Sequence, residues 1–340
     1  MKVLFVYKPY YENDVDSESQ QEKVRGSFYS AFGENNPDYQ FDVIHFGHAP
    51  GLVRTSKEMN EEIMKRDFDV CIVSEELHFS VEMDVIKKLG KKLYLCCWDN
   101  FIATTSDMYV NFRIMMKKPR IWGEHKWPIP LAEASQYCNV IAADFGKGEI
   151  FPNVYGVGNA LDTRVYNLEN ASEDKRDIDV GFNGMFYIPE RGRYYEIFQK
   201  ANIPVTYTGS CNKRIYPAQV LSDVSFAEVF KRTKISLQFT ESIFGPNNRQ
   251  RKGRPFEIAA CGSFMLSTHP EAYKFRNQEW FTEGVHYDSI DESNCVDKVR
   301  YYLANPEKRI AMANAMHQHF LDNYTPLQWW KDIFRWAGAE

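Results

Sequence analysis

At 340 residues the chain exceeds ordinary single-domain length, so two domains of about 150 to 170 residues are expected. Its 44% hydrophobic and 26% charged residues are those of an ordinary globular protein, which argues against a disordered or fibrous chain. The formal charge of −5 argues against a general nucleic-acid binder, although a local basic groove stays open.

The seven cysteines, Cys71, Cys96, Cys97, Cys138, Cys211, Cys261 and Cys295, form no C-x-x-C pair, and several lie in apolar runs. They read as reduced, buried thiols of a cytosolic protein, without the ligand spacing of a zinc site. The apolar run of MKVLFVYKPYY is too short for a signal peptide. No stretch approaches the roughly 20 apolar residues of a membrane span. A cytoplasmic protein with no integral membrane segment is expected, and peripheral attachment stays open.

Apolar strands alternate with helical segments along the first half. Lys2 to Tyr7 (KVLFVY) is a continuous apolar run suited to a central strand covered on both faces. A helix follows from Ser19 to Phe32, then a strand from Phe41 to Phe46, a helix from Lys57 to Arg66 and a strand from Asp69 to Ser74. Next come a helix from Val81 to Leu89 and a strand from Leu93 to Trp98. Residues 100–137, with Pro119, Pro128 and Pro130, read as a helix from about Asp107 to Met116 and then an irregular loop. Asn139 to Ala143 and Val154 to Asn159 are further strands. The polar run NLENASEDKR (167–176) has no apolar period and reads as an interdomain linker.

The pattern then restarts. Strands are expected at Ile178 to Phe182, Val205 to Thr208, Ile235 to Phe239 and Phe264 to Ser267, with a short one ending at Ile290. Helices are expected at Gly192 to Lys200, Ser225 to Arg232, Pro255 to Ala260, Ser293 to Leu303, Pro306 to Asn323 and Thr325 to Trp336. Strands alternating with helices imply parallel pairing through right-handed crossovers, with ligands at the carboxyl ends of the strands.

The most informative stretch is RKGRPFEIAACGSFMLS, 251–267. Arg249, Arg251, Lys252 and Arg254 precede a short helix that Pro255 can open. A helix start presents free N–H groups and a partial positive charge, which attract an anion. Glu257 lies one turn inside, where a carboxylate accepts hydrogen bonds from sugar hydroxyls. Cations beside such a carboxylate are what a nucleoside diphosphate requires. The same residues also fit a solvated basic loop before a core helix.

The second half resembles the CgeB-like and group 1 glycosyltransferases with the GT-B fold. VGNALDTRVYNLE (157–169), DIDVGFNG (177–184) followed by Arg191 and Arg193, RPFEIAACGSFMLS, and the run from Gly284 to Thr325 carry the resemblance. It covers 157–326 in sequence and the first 156 residues as architecture only. It implies an α/β protein of two Rossmann-like domains facing a central cleft. Residues 1–165 would bind the acceptor, 166–176 would link the domains, and 177–324 would bind the nucleotide sugar. Residues 325–340 would form a helix packing across both lobes.

By the same resemblance, Glu257 would bind the donor ribose with Arg254 and Phe256 beside it, and Arg251 and Lys252 would clamp the diphosphate. Preorganised cations would stabilise the departing diphosphate without an essential metal, and no cofactor is implied. The acceptor would be a hydroxyl of a glycan, protein, lipid or nucleic acid. Two features depart from the family pattern. KPYYEND (8–14) has no glycine, and the nearest acidic partner of Glu257 is Glu241, sixteen residues upstream.

Asn183 and Gly184 follow a buried strand, where glycine lets a phosphate approach the backbone; a plain turn explains them equally. Asp99 ends the fourth strand and is a candidate general base, with a turn cap as the alternative. Glu124 and His125, between Trp122 and Trp127, are candidates to supply a base or bind acceptor hydroxyls, with the tryptophans stacking on sugar rings; a loop anchored by buried tryptophans is the alternative. The leading reading is a glycosyltransferase using a nucleoside-diphosphate sugar. Its rival is a non-catalytic nucleotide-sugar-binding or structural protein on the same scaffold. A nicotinamide enzyme is disfavoured, because no G-x-G-x-x-G follows the first strand.

Overall fold

The computed structural model describes residues 1–7, 20–33, 35–46, 52–74, 77, 80–97, 131–142, 154–155, 161–184, 189–208, 226–242, 245–249, 253–270, 274–275 and 278–339. The chain divides into two compact units. One takes Ser19–Ala160 and Leu327–Glu340 with the N-terminal strand; Leu161–Pro326 make up the described part of the other.

The first unit contains β1 (Lys2–Tyr7), α1 (Gln20–Phe32), β2 (Gln40–His45), α2 (Ser56–Lys65), β3 (Val70–Val73), α3 (Met83–Leu89), β4 (Leu93–Cys97), α4 (Leu131–Ala134), β5 (Asn139–Ala142) and β6 (Val154–Tyr155). Its parallel sheet has the order β2-β1-β3-β4-β5-β6. The continuous apolar run of β1 follows from burial on both faces. Leu4 and Val6 enter a core with Ile44, Met59, Ile63 and Ile86. Val3, Phe5 and Tyr7 enter a second core with Phe28 of α1. α2 starts where the sequence offers a capping box. The Glu58 N–H donates to Thr55 Oγ1 at 3.1 Å, and the Thr55 N–H donates to Glu58 Oε2 at 3.3 Å.

The second unit contains β7 (Ile178–Asn183), α5 (Pro189–Lys200), β8 (Thr206–Thr208), α6 (Phe226–Arg232), β9 (Thr233–Gln238), β10 (Glu241–Ser242), β11 (Gly245–Arg249), α7 (Arg254–Ala260), β12 (Phe264–Ser267), β13 (Lys274–Phe275), β14 (Gln278–Glu279), β15 (Tyr287–Ser289), α8 (Cys295–Ala304) and α9 (Pro306–Asn323). The parallel sheet runs β15-β12-β9-β7-β8. Over their first five strands both sheets therefore share one order, second-first-third-fourth-fifth, which reverses beside the first strand, and the first unit adds a sixth strand at the edge. Two small antiparallel pairs, β10 with β11 and β13 with β14, were not expected from the sequence. Their residues, such as GPNNR, have low strand propensity, and pairing supplies what propensity does not.

The polar segment 166–176 is anchored in the second unit. Tyr166 and Ala171 are buried there, and the Arg176 side chain reaches into it. The terminal helix α10 (Pro326–Ala337) belongs to the first unit, where Trp329, Trp330, Ile333 and Phe334 join the core of Phe5 and Phe28. Cys71, Cys96, Cys138, Cys261 and Cys295 are buried and form no disulfide. Among the described residues, no helix is long and apolar enough to cross a membrane.

Candidate functional site in the second unit

Open parallel sheets bind ligands beyond their strand carboxyl ends, where the strand order reverses. In the second unit that place lies between β7 and β9. The residues ending the strands there are polar and buried: Asn183 on β7, Gln238 and Thr240 on and after β9, Ser267 and Thr268 on and after β12. Their bonds fix the strand ends. The Thr268 N–H donates to the Gln238 carbonyl at 3.0 Å, the Ser267 hydroxyl to the same carbonyl at 3.2 Å, and the Thr240 N–H to Thr268 Oγ1 at 3.2 Å. The Asn183 amide donates to the Phe226 carbonyl at 3.1 Å, which ties β7 to the start of α6.

Two guanidinium groups meet at the end of β7. The Arg254 Cζ lies 5.7 Å from the centroid of the Phe182 ring, and the Arg191 Cζ lies 5.9 Å from it. Arg254 comes from the first turn of α7 and Arg191 from the first turn of α5. Gly184 passes close beside them at φ +152°. A Cβ there would stand 2.8 Å from Phe182 Cζ and 3.4 Å from Arg254 Nη2. Glycine is thus required at this turn by its backbone conformation and by the nearness of ring and guanidinium. Arg191 is only 2% exposed. Arg254 beside it is half-buried, and the two guanidinium groups give this strand end local positive charge.

Glu257 follows one turn after Arg254 and is 8% exposed. Its neighbour Phe256 is the other residue that the sequence placed beside the ribose. Its ring is fully buried against Trp280, Phe281 and Tyr324, at centroid distances of 5.3, 5.4 and 5.2 Å. The Phe256 side chain therefore seats α7 in the core. The helix also opens one residue earlier than expected, at Arg254. Pro255 has no N–H, and those of Phe256 and Glu257 donate to the Gly253 carbonyl at 3.0 and 3.3 Å. The attraction for an anion at this helix start therefore rests on the Arg254 side chain more than on free amides. At the other end of α7, His317 Nδ1 lies 2.8 Å from the Ala259 carbonyl, and Arg176 bonds the Cys261 and Gly262 carbonyls.

Of the residues singled out in the sequence, Asn183, Gly184, Arg254 and Glu257 stand at this end of the second unit's sheet. Asp99, Glu124, His125, Arg251 and Lys252 lie outside the described residues. The sequence reading counted Arg191 among the residues that carry the family resemblance, after an asparagine-glycine turn, but gave it no role of its own.

The model of the glycosyl transferase-like family matches residues 193–335. No curated protein matches the chain by sequence. Solved structures do match it in fold. Anabaena Alr3699/HepE, in complex with UDP and glucose, is 10% identical with a TM-score of 0.59 over 100% of both chains. A glycosyltransferase from Rickettsia africae ESF-5 is 9% identical with a TM-score of 0.58, over 99% of this chain and 98% of that one. The alpha-glucosyltransferase AGT, in complex with UDP, is 10% identical with a TM-score of 0.60, over 98% of this chain and 99% of that one. The two parallel α/β units are those of the GT-B fold, as the sequence led one to expect.

Proposed function

We propose that this chain is a glycosyltransferase that draws its sugar from a nucleoside-diphosphate donor bound by the second unit. The convergence of Arg191 and Arg254 on Phe182, beside Gly184, carries the proposal. In the reaction an acceptor oxygen bonds to the anomeric carbon, the bond from that carbon to the diphosphate breaks, and the acceptor proton passes to a base. Charge grows on the departing diphosphate, and fixed guanidinium groups stabilise it in the transition state. No metal is essential in this reading, because the arginines supply the positive charge. Glu257, one turn from Arg254, accepts hydrogen bonds from the ribose hydroxyls. The match of the family model to 193–335 supports the reading, as do the neighbours HepE and AGT, which hold UDP. The acceptor hydroxyl belongs to the first unit, with Asp99, Glu124 and His125 as its candidate bases, and the setting is cytoplasmic.

Calorimetric titration with UDP in the presence of a chelator tests this. The wild-type chain should bind UDP without metal and release it from UDP-glucose. Arg254→Gln and Arg191→Gln should each weaken UDP binding about tenfold or more, the worth of one charge-assisted contact. Glu257→Ala should weaken it as well. If folded Arg254→Gln and Arg191→Gln bind UDP as tightly as the wild type, the phosphate assignment is wrong.

A further inference from the structure

The run KKLGKK, 87–92, joins α3 to β4 in the first unit. Its apolar neighbours fix where the lysines point. Val85 and Ile86 of α3 and Leu93 of β4 enter the core, so the lysines between them face solvent, and Lys87, Lys88, Lys91 and Lys92 are all exposed. Gly90, at φ +55°, turns the helix end into a 3-10 turn, Gly90–Lys92, that leads directly into β4. The lysines are thereby gathered on one helix end and one turn. Tyr137 stands beside them. The Lys87 Nζ lies 5.3 Å from its ring centroid, and the Asn139 amide donates to the Lys91 carbonyl at 2.8 Å, which ties the turn to the chain just after Tyr137. Tyr137 is 39% exposed, so an aromatic ring lies open to solvent among the cations.

Two observations set this surface apart. Other cations of the unit have carboxylate partners: Lys2 has Asp67, Lys57 has Glu61, Lys65 has Glu62 and Arg66 has Asp42. Lys87, Lys88, Lys91 and Lys92 have none among the described residues, although Asp84 lies one turn before Lys87 and Lys88. On the Lys92 side, Asp67 and Asp69 are both engaged by Lys2, and Lys92 itself donates to the Phe68 carbonyl at 3.3 Å. Partial burial lowers the Lys91 pKa, and no carboxylate acts against it. The negative end of α3 accounts for Lys87 and Lys88, but Lys91 and Lys92 lie beyond that helix. The second observation is position. Lys92 and Asn139 stand at the amino ends of β4 and β5, the edge of the sheet opposite to the strand ends where ligands bind in such folds.

We propose that Lys87, Lys88, Lys91, Lys92 and Tyr137 dock the chain on an anionic lipid bilayer. Clustered lysines are drawn to the negative surface potential of such a bilayer, and tyrosine rings settle at the level of its headgroups. Lysines are compact charges on flexible stems and suit mobile headgroups, whereas arginine forks suit fixed phosphates, and none of these cations is an arginine. Docking by this edge leaves the carboxyl ends of the strands open. The proposal does not depend on the donor reading above.

Co-sedimentation of the full chain with vesicles tests it. The wild type should bind vesicles of equal parts phosphatidylcholine and phosphatidylglycerol, should bind pure phosphatidylcholine about tenfold more weakly or worse, and should leave the anionic vesicles as salt rises. Each lysine near the surface is worth about fivefold, so Lys88→Gln combined with Lys91→Gln should weaken binding about 25-fold. Tyr137→Ala should weaken it several-fold. The paired lysines serve as the control, and Lys57→Gln combined with Lys65→Gln should bind nearly as the wild type does. Lys88 and Lys91 are exposed, so their double variant should keep the wild-type urea midpoint. Equal binding to both kinds of vesicle, no binding to either, wild-type affinity in the Lys88 and Lys91 double variant, or an equal loss in the control would each overturn the proposal. So would tighter binding to a mixed-sequence RNA at the same salt, which would make the surface a nucleic-acid site.

Discussion

Replacing Arg176 with methionine removes the clamp on which α7 stands. The guanidinium is buried where the ends of α6 and α7 meet the start of β9. Nη1 donates to the carbonyls of Phe230, Lys231 and Thr233 at 2.9, 3.0 and 2.7 Å. Nη2 donates to those of Cys261 and Gly262 at 2.9 and 2.8 Å. Carbonyls at helix ends have no partner within the helix and carry partial negative charge, which the cation offsets. Burial pushes the Arg176 pKa down from the ordinary arginine value, while Glu173, 3.8 Å away, favours the charged form. Methionine fills the space of the stem and supplies no donor, so the carbonyls lose the guanidinium, while Glu173 keeps its bond to Arg309 and the Thr233 carbonyl keeps that of the Ser263 hydroxyl at 3.0 Å. A bond to a charged donor is worth about 1.5–3 kcal/mol, and such bonds do not add. Removing one partner from a buried ionic network costs about 3–5 kcal/mol, and that is the expected loss. It is a large share of the roughly 5–15 kcal/mol that holds a domain together. Hydrogen exchange of peptides from 226–267 in rising urea reads the loss in the second unit alone. Arg176→Lys should fall between, because three ammonium donors cannot meet five carbonyls. A loss under about 1 kcal/mol for Arg176→Met would refute the reasoning, since the lowest value expected of a broken buried network is well above it.

Two further perturbations follow from the packing. Trp330 is 0% exposed and donates its indole N–H to the Ser27 hydroxyl at 3.0 Å, with its ring 5.3 Å from Phe28 and 5.5 Å from Phe334. Trp330→Ala should cost the first unit about 3–5 kcal/mol in urea unfolding, and hydrogen exchange should leave the second unit unchanged. His286 accepts the Thr282 N–H at 2.9 Å and stacks on His319 at 4.4 Å. Burial first, and then His319, lower its pKa from 6.5 to about 4. Because the folded value is the lower one, the unfolded chain takes up the proton first as the pH falls. The contribution of neutral His286 is whole above pH 6.5 and is lost progressively toward pH 4. His286→Phe should flatten the stability curve in that window, read as wild type minus variant; parallel curves would show that this ring does not set the slope.

Much of the fold was legible in the sequence because it rests on near neighbours in the chain. KVLFVY is a strand covered on both faces, Pro306 to Asn323 is a helix with the expected ends, and Phe264 to Ser267 is a strand as expected. Apolar period, proline placement and turn residues act within a few residues, so they are written locally. The short helix that carries Arg254 and Glu257 was legible for the same reason. What the tertiary structure alone decided is which distant groups meet. The strand order sets β7 beside β9 and so puts the end of β7 where the order of the sheet reverses. The turn of α7 sends the Phe256 ring into the core and leaves Arg254 over Phe182. Trp330 bonds Ser27 from 303 residues away. Arg176, in a run that reads as a polar linker, is a buried clamp on two helix ends. The letter for a buried arginine is the letter for a solvated one. Only the carbonyls that the fold gathers around it tell them apart, and those come from parts of the chain that no local pattern links.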